Sequence, residues 1–201
     1  MLAARPLILP PRHFVYPRDA EEVERGALEV LFRPGAAPAR HSLDAQSSPC
    51  AKQSPDAESS PCTQQARGAE PFLATCALGF RDPTVPSGLW TTPKPEEVCA
   101  VAGGYAYLID TTAPEWFTMI RYRPVLVVRA LPAHGLLLFV GHHSILAWGV
   151  AGEAWQSAKL SDEGVTIAAV EKDVLRGIGW EMRTDRETQF ALNLQNGILL
   201  S

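Results

Sequence analysis

The chain reads as a mainly β protein built of antiparallel meander sheets, and three observations say so. Short apolar runs rich in Val, Ile, Leu and aromatic residues recur through the C-terminal half, roughly every eight to twelve residues. Turn signals separate them, among them Gly103-Gly104, the Gly149–Gly152 stretch and Asn196-Gly197. Where a run is half-polar it alternates, as in Phe190-Ala191-Leu192-Asn193-Leu194, which puts apolar side chains on one face of a strand.

From the N-terminus, residues 1 to 18 are rich in Pro and Arg and read as extended. Asp19 to Arg25 reads as one short helix, with Asp19 as N-cap, carboxylates in the first turn and Gly26 ending it. Ala27 to Arg33 reads as a strand with Leu28, Val30 and Phe32 on one face. Residues 35 to 70 then change character: Leu43 is their one large apolar residue. Asp44-Ala45-Gln46-Ser47-Ser48-Pro49-Cys50 is nearly repeated as Asp56-Ala57-Glu58-Ser59-Ser60-Pro61-Cys62. Such a stretch buries too little surface to offset its ordering entropy, so it reads as a disordered low-complexity insertion. A tandem expansion in a tolerant loop explains it better than a phosphorylated Ser-Pro linker, because loop closure costs grow only with the logarithm of length.

Order returns at Phe72 to Phe80, a strand that can pair with 27–33 across the insertion, so that 1–34 and 71–201 form one domain. Residues 81–97 carry Pro83, Pro86, Pro93 and Pro95 and read as a long loop, since proline removes ladder donors. The rest alternates strands and turns: 98–101, 105–109, 116–120, 124–131, the 136–148 hairpin, a strand at Trp155, then 165–170, 174–180, 190–194 and 198–200.

Composition narrows the function classes. The 201 residues are 46% apolar with a net charge of −4, normal for a globular protein and without the clustered Lys and Arg of a nucleic-acid binder. Leu136 to Val140, the longest strongly apolar run, is far short of the ~20 residues of a membrane helix. Pro10 and Pro11 interrupt the N-terminal apolar patch before it reaches signal-peptide length, so the chain reads as cytoplasmic. The four cysteines have no zinc-site spacing and read as free thiols.

Two stretches carry a resemblance. Gly103-Gly104-Tyr105-Ala106-Tyr107-Leu108-Ile109-Asp110, and the unit running from Gly135 through His142-His143 and Trp148-Gly149 to Trp155, are similar to blade strands of β-propellers of the quinoprotein-like and WD types. The similarity covers about half the chain. A closed propeller needs at least four blades of about 40 residues, and two or three units are visible; the Trp-Asp dipeptide is absent. The chain as a whole also resembles all-β bacterial proteins of no assigned activity. The resemblance implies blade-like sheets and brings no active site.

Candidate chemistry is thin. His142-His143 is a tempting metal pair, but neighbouring residues of a strand point to opposite faces, which favours one half-buried and one exposed histidine. Asp162, Glu163, Glu181 and Asp185 are candidate acid–base carboxylates, although Ser161-Asp162-Glu163-Gly164 also reads as a turn. No Gly-x-Ser-x-Gly, local Cys signature or phosphate-binding loop occurs. Of five tryptophans, Trp90, Trp148 and Trp155 are the candidates for an aromatic binding platform.

The sequence therefore predicts a sandwich or an incomplete, propeller-like set of meander sheets. It favours a non-enzymatic binding or scaffold module with a protein partner or a homo-oligomer, without nucleic acid, membrane or cofactor. The alternative is a hydrolase that uses the four carboxylates.

Overall fold

The computed structural model describes residues 10–15, 26–34, 62–66, 71–80 and 82–200. The expected helix at 19–25 and most of the 35–70 tract lie outside the described residues. The protein is mainly β: among the described residues 56% are in strands, and the one helical element is a short 3-10 turn at Pro132–His134.

Four sheets follow one another along the chain. Sheet I holds β1 (Arg12–Val15), β2 (Ala27–Pro34), β3 (Cys62–Ala66) and β4 (Phe72–Ala77) in the order β1-β4-β2-β3. Its centre is the expected antiparallel pair, Ala27 opposite Ala77 through Phe32 opposite Phe72. β1 and β3 flank it in parallel, and β3 falls inside the low-complexity tract where the sequence places no element. Sheet II is the meander β5 (Gly88–Thr91), β6 (Glu97–Ala102), β7 (Tyr105–Asp110) and β8 (Phe117–Met119). Sheet III is the meander β9 (Val127–Leu131), β10 (Leu136–Val140), β11 (Ile145–Gly149) and β12 (Gly152–Gln156). Sheet IV is β13 (Val165–Glu171), β14 (Val174–Glu181) and β15 (Arg186–Asn193).

β5 corrects the reading of 81–97 as one loop. The four-residue β5 fits between Pro86 and Pro93 and is an edge strand that pairs, among the described residues, with β6, so neither proline interrupts a central ladder. β15 also begins four residues before its apolar stretch, because its first half is solvent-exposed and carries no hydrophobic signal.

Three cores lie between successive sheets. Sheets I and II enclose Val30, Phe32, Phe72, Ala100, Tyr107 and Ile109, where the buried Tyr107 hydroxyl donates to the Ala77 carbonyl at 2.8 Å. Sheets II and III enclose Trp90, Cys99, Leu108, Leu137, Phe139 and Leu146. Sheets III and IV enclose Leu138, Val140, Ile145, Trp155, Leu175 and Leu192. Register explains the division: Leu138 lies opposite Ala147 and Phe139 opposite Leu146, so neighbouring residues of β10 enter different cores. Sheets II and III are thus buried on both faces, which is why Val-Cys-Ala-Val-Ala and Leu-Leu-Leu-Phe-Val are continuous apolar runs rather than alternating ones. The first strands of the two central sheets, β5 and β9, touch each other.

Candidate functional site

The candidate site is a pocket of about 500 Å³ where sheet II passes into sheet III, lined by Arg121, Tyr122, Arg123, Trp148, Glu153 and Gln156 over the buried Ile120 and Leu146. The connection 120–126 after β8 supplies one wall and the β11–β12 hairpin the other. The register shifts between Ala147 and Trp148, where Ala147 faces Trp155 and Trp148 faces Glu153, so β12 carries the extra residue, Ala154, beside the indole. Trp148 is half-buried, packed against the II–III core on one side and facing the pocket on the other.

A hydrogen-bond chain fixes the pocket's inner end. The Tyr122 hydroxyl donates to the Ser144 carbonyl, the Ser144 hydroxyl donates to Tyr122 Oη at 3.3 Å, and Gln156 Nε2 donates to Ser144 Oγ at 3.3 Å. A Cβ at Gly141 would lie 2.7 Å from that Tyr122 oxygen, so the close approach needs glycine. Burial pushes the Tyr122 phenol above its ordinary range, against the opposing hydrogen bonds of Ser144 and Gly141, and it serves as a neutral donor. Arg123 Cζ lies 5.2 Å from the Tyr105 ring centroid, and Phe80 meets that ring edge-on at 5.7 Å. Behind Trp148 lies Glu97, whose Oε1 is buried without a hydrogen-bond partner. Burial pushes its carboxyl up; Thr92, Lys94 and Trp148 pull it down and are outweighed.

The other sequence candidates have different surroundings. Trp90 and Trp155 are core residues, 9% and 7% exposed, and Trp155 Nε1 donates to the Leu194 carbonyl at 2.7 Å. The aromatic patch expected around Trp90, Trp148 and Trp155 therefore reduces to Trp148, because an apolar run reports burial and not which side of a sheet is covered. Trp116, at 73% exposure, is the tryptophan most open to solvent.

His142 and His143 sit in the β10–β11 turn, not within a strand, because β10 ends at Val140 and β11 starts at Ile145. Their ring centroids are 6.0 Å apart; His142 is half-buried and His143 exposed, with Nδ1 3.1 Å from the Ser161 carbonyl. Among the described residues no group of three His, Cys, Asp or Glu is placed to hold a metal ion.

The carboxylates meet at one end of sheet IV and are occupied by local structure. Asp162 accepts from the Lys159 ammonium and from Met182 N at 2.7 Å, and these contacts hold its carboxyl below the ordinary range. Asp185 accepts from Trp180 Nε1 at 3.3 Å and Glu181 from Thr184 Oγ1 at 2.7 Å. Glu163 is exposed in a bend, and none of the four lines the Trp148 pocket. Ser161, which no sequence signal marks, clamps the III–IV connection by accepting from Trp180 N at 2.8 Å. Burial raises the Cys99 thiol well above its ordinary value and takes Cys76 up to about 12; both are free. Among the described residues no helix is long and apolar enough to cross a membrane.

No protein-family model matches the chain, and no curated protein or solved structure matches it.

Proposed function

We propose that the chain is a non-enzymatic binding module made of consecutive blade-like sheets, and that it holds a protein partner through a short peptide segment in the Trp148 pocket. One observation carries the reading: Trp148 presents a half-exposed aromatic face beside charges of both signs, Arg121 and Glu153. An indole gives contact area at little entropic cost, and the flanking charges set orientation. The volume lies within the range of small ligand sites and suits one or two side chains of a peptide.

The propeller-like reading has its support in sheet order. Sheets II and III are four-stranded meanders, and successive sheets stack face on face in chain order, as blades do. A hydrolase reading has less support, since Asp162, Glu181 and Asp185 already accept hydrogen bonds from their own loops.

Peptide display on phage tests the proposal. Selection against the full chain, with counter-selection against Trp148→Ala, should enrich peptides that bind the first and lose about tenfold or more in affinity for the second. Enriched peptides that bind both proteins equally, or no enrichment, would overturn it.

A further inference from the structure

We infer that the face of sheet IV turned away from the core is the interface of a two-fold dimer of this chain, centred on Ile178. Sheets II and III have both faces covered by neighbours, whereas sheet IV buries Leu175 and Leu192 on one face and, among the described residues, has no element packed on the other. Along β14 the open face presents Val174, Arg176, Ile178 and Trp180. Across the sheet the row through Arg176 runs from Ala169 to Ala191, and Leu200 continues it by donating its N–H to the Ala191 carbonyl at 2.8 Å. A depression of about 890 Å³ follows this part of the sheet; Ala169, Val174, Arg176, Ile178, Ala191 and Leu200 line it from the open face, and Leu160 and Phe190 from the core side. Leu200 is 43% exposed.

The occupant follows from the pattern of the face, which complements itself. Arg176 and Trp180 stand two residues either side of Ile178, about 7 Å along the strand. A two-fold axis lying between the two sheets, perpendicular to β14 and level with Ile178, makes the two copies of β14 antiparallel and sets Arg176 of one copy against Trp180 of the other. Glu187, opposite Trp180 in register, adds a carboxylate at the same spot. The guanidinium meets an aromatic face and an anion twice per dimer, while Ile178 packs on Ile178. Present partners leave this open: Arg176 contacts Glu171 through Nε only at 3.9 Å, with the two side chains 58% and 70% exposed. Trp180 uses its N–H on Asp185 and keeps its ring for stacking. Sheet-on-sheet packing at about 10 Å is the contact this molecule already makes three times within itself.

Sedimentation velocity of the full chain over a wide micromolar range tests this independently of the Trp148 pocket. The wild type should sediment as a concentration-dependent dimer. Ile178→Arg should weaken the dimer about tenfold or more with unchanged far-UV circular dichroism. Arg176→Glu should weaken it likewise, and Arg176→Glu combined with Glu187→Arg should restore it. A wild type that stays monomeric, a dimer indifferent to Ile178→Arg, or a double variant that fails to recover would overturn the assignment.

Discussion

Sheets III and IV are built from similar hairpins, yet one is covered on both faces and the other on one. In β10 every residue after Leu136 is buried, two to each core. In β15 the first four residues are exposed and burial returns only toward Leu192. Position in the stack, more than strand propensity, sets the sequence texture: a middle sheet needs an unbroken apolar run, and an end sheet needs alternation. The same position decides what a substitution costs, which makes the contrast testable.

The largest effect belongs to the middle sheet. Phe139→Ala, in the II–III core, should lower unfolding free energy by about 3–5 kcal/mol in urea titration. Val174→Ala, half-buried on the open face of sheet IV, should cost about 1 kcal/mol or less. Equal costs would mean that sheet IV is as fully covered as sheet III.

The core-facing side of sheet IV behaves differently from its open side. A Cβ at Gly179 would lie 2.0 Å from the Leu160 carbonyl oxygen, and one at Gly177 would lie 2.3 Å from Phe190 Cζ. These glycines let the III–IV connection and the Phe190 ring lie against the strand. Gly179→Ala should therefore cost about 1–3 kcal/mol, measured by thermal unfolding. A neutral result would show that the 157–164 connection is free to move off the sheet. Trp155→Phe keeps the ring in the III–IV core and deletes the donor to Leu194, leaving that carbonyl buried and unpaired. It should cost about 1–2 kcal/mol by the same measurement.

These contrasts also mark how far the sequence could be read. Most strands of sheets II to IV were legible where glycine turns punctuate them, as at Gly103-Gly104 between β6 and β7. β5 was hidden by the prolines on either side of it, and the polar first half of β15 by its exposure. The division of β10 between two cores was not legible, since an unbroken apolar run has no phase. For the same reason the three candidate tryptophans looked alike, though Trp155 is a core donor and Trp148 a pocket wall. The Trp148 pocket depends on Ser144 and Gln156, which the β11–β12 pairing brings together, and on Tyr122, which the connection from sheet II to sheet III sets against them.

The smallest predicted effects differ in sign between the two regions. Glu97, behind Trp148 at the junction of the covered sheets, has its carboxyl pushed above the ordinary value of 4.5, first by burial. The folded state then holds that proton more tightly than the unfolded state. The side chain costs nothing below the unfolded value and destabilises increasingly as pH rises through the folded one. Glu97→Gln should raise the melting temperature at neutral pH, and the gain should vanish in acid, below the unfolded value. Asp162, half-buried at the end of sheet IV, is shifted the other way, first by the hydrogen bond from Lys159 and then by that from Met182 N. Its contribution is present above the unfolded value of 3.8 and lost as pH falls through the lowered folded one. Asp162→Asn should therefore lower the melting temperature at neutral pH and lose its effect in acid. Melting curves of both variants against pH decide the matter: changes of opposite sign mean that the covered junction penalises charge while the sheet end uses it. Changes of the same sign would remove burial as the cause at Glu97.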